Sequence, residues 1–102
     1  MKCPSYNFFF EAISPRLRVR IIELLEKRPL NVTEICNSLE EEQSKISHNL
    51  RRLVDCHFLD VKREGKKRIY SLNKDTIVPL MDLVKKHVKK YCCDSCKKEL
   101  RK

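Results

Sequence analysis

Gln43-Ser44-Lys45-Ile46-Ser47-His48-Asn49-Leu50-Arg51-Arg52-Leu53-Val54 is the stretch that decides how the rest of the chain is read. Ile46, Leu50, Leu53 and Val54 follow the i, i+4, i+7, i+8 spacing of one apolar helix face. At about 100° per residue, Ser44, His48, Arg51 and Arg52 fall on the opposite face, flanked by Lys45 and Ser47. Small hydroxyls permit close approach to base edges, and Gln, Arg and His side chains can hydrogen-bond them. Gln43 and Ser44 stand at the helix N-terminus, whereas Arg51 and Arg52 lie further back, where phosphate contact is the commoner role. On an isolated helix such a face is most often plain solvated surface, so the neighbouring segments carry the decision.

Downstream, Leu59 to Arg63 and Arg68 to Leu72 alternate in polarity (Leu59, Val61; Tyr70, Leu72), and Glu64-Gly65 supplies a turn. Lys62, Arg63, Lys66, Lys67 and Arg68 crowd this hairpin with positive charge. Upstream, Val32 to Leu39 forms a helix burying Val32, Ile35 and Leu39, joined to the next by the acidic turn Glu40-Glu41-Glu42. Before it, Ser14-Pro15 reads as an N-cap followed by Pro at the first helical position, and Leu17, Ile21, Leu24 and Leu25 stripe a helix that Arg28-Pro29 ends. A short first helix, about Ser5 to Ile13, offers Phe9, Ala12 and Ile13. The last helix begins near Asp75, accommodates Pro79 in its first turn, and carries Ile77, Met81, Val84, Val88 and Tyr91 along one seam. Lys85, Lys86, Lys89 and Lys90 occupy its other faces. The fold expected is mainly α with a small β-hairpin, four helices, two strands and a fifth helix in that order: a winged helix-turn-helix. It forms a single domain over 1–102, in which 92–102 is a Cys/Lys-rich C-terminal tail.

Composition agrees with a nucleic-acid partner. The 102 residues hold 23 Lys+Arg against 14 Asp+Glu, a net charge of +9. Such an excess suits a polyanion, because each neutralised phosphate releases counterions. One Gly and no Trp rule out glycine-rich phosphate loops. No apolar run approaches the roughly 20 residues of a membrane span, and no leader is visible, so a cytoplasmic location and no membrane partner are expected. There is no Ser/His/Asp grouping and no pair of carboxylates in an apolar setting, and the chain is too short to enclose a pocket, so catalysis is not expected.

The run Phe8 to Leu72 resembles the ArsR/SmtB family of metal-responsive repressors. The resemblance is carried by Phe10-Glu11-Ala12-Ile13-Ser14-Pro15-Arg16-Leu17-Arg18, by Val32-Thr33-Glu34-Ile35, by Gln43 through Leu50, and by Arg63-Glu64-Gly65-Lys66 with Tyr70-Ser71-Leu72. It implies a homodimer built from the first and last helices, with Phe9, Ile77, Met81, Val84, Val88 and Tyr91 at the interface. The partner it implies is a palindromic double-stranded DNA operator. Gln43, Ser44, Ser47 and His48 would then face bases in the major groove, and Arg63, Lys66, Lys67 and Arg68 would follow the wing onto phosphates or into the minor groove. Lys45, Arg51 and Arg52 complete the expected contact set. One departure is visible: the family's turn is usually Gly, an apolar residue and Ser, where this chain has Glu40-Glu41-Glu42. Acidic residues suit a helix N-terminus, yet they sit near DNA phosphates and should weaken affinity.

Six cysteines without an export signal point to metal or redox chemistry before structural disulfides. The family's thiolate site uses two cysteines on the third helix, where this chain has Cys36 alone. Asp75, Asp82 and His87 do not keep the spacing of its histidine-carboxylate zinc site. What remains is Cys92-Cys93-Asp94-Ser95-Cys96. If the last helix continues, Cys92, Cys93 and Cys96 fall within an arc of about 100°. Three thiolates so placed suit As(III), or Cd(II) and Zn(II) with a fourth ligand, for which Cys3 is the candidate. Disulfide or oxidant sensing by the same cysteines, an inert tail, and a winged-helix module for a protein or RNA partner are the alternatives. Cys36 and Cys56 read as packing residues, His57 as a helix-end residue, and His87 as lying off the cysteine flank.

Overall fold

A computed structural model describes residues 5–92. Its elements run α1 (Tyr6–Ile13), α2 (Arg16–Leu25), β1 (Leu30–Asn31), α3 (Val32–Leu39), α4 (Gln43–Asp55), β2 (Leu59–Glu64), β3 (Lys67–Leu72) and α5 (Ile77–Tyr91). The expected winged helix-turn-helix is present, with one strand more than the sequence reading gave. Leu30 and Asn31 pair antiparallel with Tyr70 and Ile69, so the hairpin becomes a three-stranded sheet of order β1-β3-β2.

Helix ends are set by local side chains. The Ser5 hydroxyl accepts from the Phe8 N–H at 3.1 Å. Asn31 starts α3 with a reciprocal capping box: its Oδ1 accepts from Glu34 N at 2.9 Å, and Glu34 Oε1 accepts from Asn31 N at 3.0 Å. Asn73 Oδ1 accepts from the N–H groups of Asp75 and Thr76 just ahead of α5. The α2 boundary differs by one position from expectation: Ser14 closes α1, and Pro15 is itself the N-cap of α2.

The C-terminal ends of α3 and α4 both use left-handed backbone at residues other than glycine. Glu40 (φ 54°) ends α3, and His57 (φ 63°) follows α4. At the second site Phe58 N donates to Leu53 O and His57 N to Val54 O, both at 2.9 Å, the paired bonds of a Schellman stop. Phe58 and Leu53, both buried, supply the apolar contact that accompanies it. Gly65, at φ 61°, opens the two-residue turn between Glu64 and Lys67, where a primed hairpin turn requires positive φ.

The core gathers Ile21, Ile22 and Leu25 of α2, Ile35 of α3, Ile46, Leu50 and Leu53 of α4, and Phe58, Leu59, Tyr70 and Leu72 around the sheet. Two expectations need correction. Val61, which the alternation groups with Leu59, is 44% exposed, because only the first residue of β2, Leu59, is buried. Ile77 was placed on a dimer seam but is 1% exposed within the chain's own core. At the start of α5, Ile77 is buried and Val78, Leu80 and Met81 are half-buried, whereas residues 82–91 are exposed. Among the described residues, no helix is long and apolar enough to cross a membrane.

Glycine has no Cβ to resist positive φ, so Glu40→Gly should stabilise the chain by about 0.5–1 kcal/mol, read as a higher midpoint in thermal or urea unfolding. The Asn31 N–H, with help from Arg28, holds the Glu34 carboxyl below its ordinary 4.5. A depressed carboxylate contributes stability above its unfolded value and loses it as pH falls through the folded one. The stability gap between wild type and Glu34→Gln should therefore shrink as pH drops from neutral toward about 3.

Candidate nucleic-acid interface

Burial of Ile46, Leu50 and Leu53, each 0% exposed, fixes which side of α4 faces outward. Gln43, Ser44, Lys45, Ser47, His48, Arg51 and Arg52 are all exposed, as are Arg63, Lys66, Lys67 and Arg68 on the hairpin. The structure brings most of this set together. A groove between α4 and the hairpin is lined by Ser47, Arg51, Arg63 and Arg68 over a floor of Val32, Val54, Val61 and Tyr70, and Asp55 adds a carboxylate. At the hairpin tip, Lys66, Lys67 and Arg68 share a concavity with Asn31, Val32 and Thr33 at the start of α3.

The hairpin register adds an electrostatic signature. Arg63 and Arg68 are directly opposed across the strands, whereas Glu64 pairs with Lys67. Like charges opposite one another destabilise a sheet, so an anion placed between these guanidinium groups removes a repulsion as well as gaining a contact. Their planar forks match phosphate oxygens, and Arg51 faces the same groove.

Two expected contacts are shared with other partners. Lys45 Nζ lies 3.5 Å from Glu41 Oε2, and Arg20 Nη1 lies 4.0 Å from Glu41 Oε1. The acidic turn is thus partly neutralised by its own neighbours. The Arg52 guanidinium sits 5.4 Å over the Phe8 ring, which turns it toward α1 and away from the hairpin groove.

Sequence reasoning passed over Arg18 and Asn49. Arg18 Nε donates to Asn49 Oδ1 at 2.9 Å, and Asn49 Nδ2 donates to Lys45 O at 2.8 Å. The available signal was an arginine inside the otherwise apolar inner stripe of α2, facing an asparagine between Ile46 and Leu50.

The expected interface residues divide. Phe9 and Met81 are half-buried against the chain's own core, whereas Val84, Val88 and Tyr91 are exposed. Tyr6, Phe10 and Leu83 are exposed as well. Phe10 and Val84 border an all-apolar concavity with Phe9, Ile13, Val19 and Met81.

At the C-terminal end, α5 stops at Tyr91. Cys92 is its C-cap with extended backbone (φ −88°, ψ 109°). Cys93, Cys96 and Cys3 lie outside the described residues. Among the described residues no group of three or more His, Cys, Asp or Glu side chains converges as a metal site. The His87 ring packs at 5.0 Å from that of Tyr91.

Comparison with known proteins agrees with this geometry. Residues 16–61 match the family model described as bacterial regulatory protein, arsR family. The chain is 32% identical over 72 residues to the HTH-type transcriptional regulator NmtR of Mycobacterium tuberculosis, covering 71% of this chain and 60% of that one. It thus spans about three fifths of that relative. The uncharacterised regulator Rv0081 of the same organism is 30% identical over 87 residues, covering 84% of this chain and 76% of the relative. Its crystal structure superposes with a TM-score of 0.75, covering 80% and 83% of the two chains. The arsenical resistance operon repressor of Staphylococcus aureus is 24% identical, with 95% of this chain and 96% of the relative covered. An outward polar row on α4, a basic wing beside it, and these matches together make the chain a member of the arsR family of transcriptional regulators, which are not enzymes.

Proposed function

We propose that this chain is a DNA-binding transcriptional repressor that acts as a homodimer on a palindromic operator. The observation that carries the proposal is the groove in which Arg51, Arg63 and Arg68 converge beside the outward row of α4. In this reading Gln43, Ser44, Ser47 and His48 read base edges in the major groove, and the wing holds the adjacent sugar–phosphate backbone. The exposed apolar strip of Phe10, Leu83, Val84, Val88 and Tyr91 supports a second copy as the partner of α1 and α5. Two α4 helices would then be held about 34 Å apart, one turn of the duplex.

The second element of the proposal is release by a thiophilic ion. Its support is the chemistry of Cys92, Cys93 and Cys96, three thiols that follow in sequence the helix carrying the exposed strip, with Cys3 as a further donor. The arsenical repressor among the relatives points the same way. Soft As(III) or Cd(II), or borderline Zn(II), suits such donors.

Binding to duplex DNA selected by the protein from a randomised pool tests the first element. Arg63→Ala and Arg68→Ala should each weaken binding to all duplexes alike and lower the salt slope by about 1. Ser47→Ala or His48→Ala should cost about 1–3 kcal/mol on the selected sequence and relax its specificity, with two chains per duplex by sedimentation. Unchanged affinity in the arginine variants would reject the interface. For the second element, Cd(II) added to the reduced protein should raise thiolate-to-metal absorbance and lower operator affinity by about 5- to 150-fold. The triple Cys92→Ser, Cys93→Ser, Cys96→Ser variant should lose both responses.

A further inference from the structure

The inner flank of α4 carries a polar connection that its outward face does not explain. Arg18 of α2 is half-buried and makes two directed bonds: Nε donates to Asn49 Oδ1 at 2.9 Å, and Nη1 donates to the Ala12 carbonyl at 3.0 Å. Asn49 in turn donates through Nδ2 to the Lys45 carbonyl, one turn back along α4, at 2.8 Å. A continuous path therefore runs from the last turn of α1, through one guanidinium and one amide, to the first turns of α4. Neither Arg18 nor Asn49 belongs to the outward row.

We propose that Arg18 is a positioning residue that sets the rotation of α4 about its own axis through Asn49, and thereby the sequence selectivity of DNA binding. The role rests on the reading of α4 as the DNA-contacting helix. Ile46, Leu50 and Leu53 attach α4 to the body by apolar burial, which is non-directional and tolerates small rotations. Hydrogen bonds do not tolerate them equally, because they weaken steeply with angle. A rotation of about 15° carries a side-chain tip about 5 Å off the helix axis through about 1.3 Å. That displacement exceeds the spread of good hydrogen-bond lengths, so His48 and Ser47 would lose base edges while phosphate contacts, made by long flexible side chains, survive.

The chemistry of the residue fits the task. The Ala12 carbonyl is among those that the end of α1 leaves without a helical partner, a position that favours a cation. Burial pushes the Arg18 guanidinium below its ordinary value, and the nearby charge of Arg52 pushes the same way. That desolvation is offset by the two fixed acceptors. A lysine carries its donors on a single nitrogen and cannot span both in the same fork, so Arg18→Lys keeps the charge and loses the geometry.

The test compares wild type, Arg18→Lys, Asn49→Ala and the double variant by fluorescence anisotropy. Two duplexes of equal length are used, one selected by the wild-type protein from a randomised pool and one of random sequence, each over a range of salt concentrations. Arg18→Lys and Asn49→Ala are expected to lose about tenfold on the selected duplex, keep their affinity for the random one, and keep the wild-type salt slope. The double variant should be no weaker than the weaker single one, because both act through one connection. Equal losses on both duplexes, additive losses in the double variant, or a salt slope lowered by about 1 (a direct phosphate contact) would overturn the role. Should Arg18→Lys fail to fold by circular dichroism, the ratio of affinities for Asn49→Ala decides alone. Wild-type protein that binds no duplex overturns the interface itself, whereas wild-type binding with unchanged selectivity in the variants overturns only the part assigned to Arg18.

Discussion

Everything on the DNA side depends on the burial of one face of α4. Ile46, Leu50 and Leu53 are fully enclosed by residues of α2, α3 and the sheet. Each such side chain contributes about 1.5–3 kcal/mol on leaving water. Because only one face of the helix can point three such residues inward, the general direction of Ser44, Ser47, His48 and Arg51 follows without any contact of their own. The left-handed residue at Glu40 ends the preceding helix, and the Schellman stop at His57 ends this one ahead of the wing. Packing orients the surface, and the turns frame it.

Charge is distributed in two regimes. On the body, acids and bases meet in pairs: Arg28 with Glu34, Lys85 with a partly covered Glu26, and a partly covered Glu41 between Arg20 and Lys45. Such pairs mainly quench local potential. On the hairpin, Arg63, Lys66, Lys67 and Arg68 outnumber the acid beside them, Glu64, and two of these cations are set against each other. Residues 43–68 hold eight Lys and Arg against Asp55, Asp60 and Glu64, so one of the chain's two strongly basic stretches lies where α4 and the wing meet. That focus, more than the total, favours a polyanion at this face.

The α4 pattern and the hairpin were legible because each has a strong period: the 3.6-residue spacing of Ile46, Leu50 and Leu53, and the alternation of Tyr70 with Leu72. What escaped depends on contacts distant in sequence. Leu30 and Asn31 form a strand only because Tyr70 and Ile69 offer an edge to them, and two residues carry no period. The stripe on α5 was read correctly as apolar, but a stripe does not say whether its cover is the chain's own body, as for Ile77, or lies outside it, as the exposure of Val84 and Val88 allows. Arg52 looked like one more outward cation, and the Phe8 ring that holds it is 44 residues away in sequence. Arg18 and Asn49 fell into a similar blind spot: each is a polar residue out of place in its own stripe, but nothing local says that the two meet across 31 residues.

The wing also has to survive between encounters with its partner. In the order β1-β3-β2, strand β2 is an outer strand along its whole length, and it presents Val61 to solvent. An unpaired strand edge is a template for association with other chains, and charged side chains are the usual protection. Asp60, Lys62, Arg63 and Glu64 stand along this edge. The cations that would suit the wing to a phosphate backbone therefore also keep two wings from zipping together, so their neutralisation would expose a strand edge open to self-association.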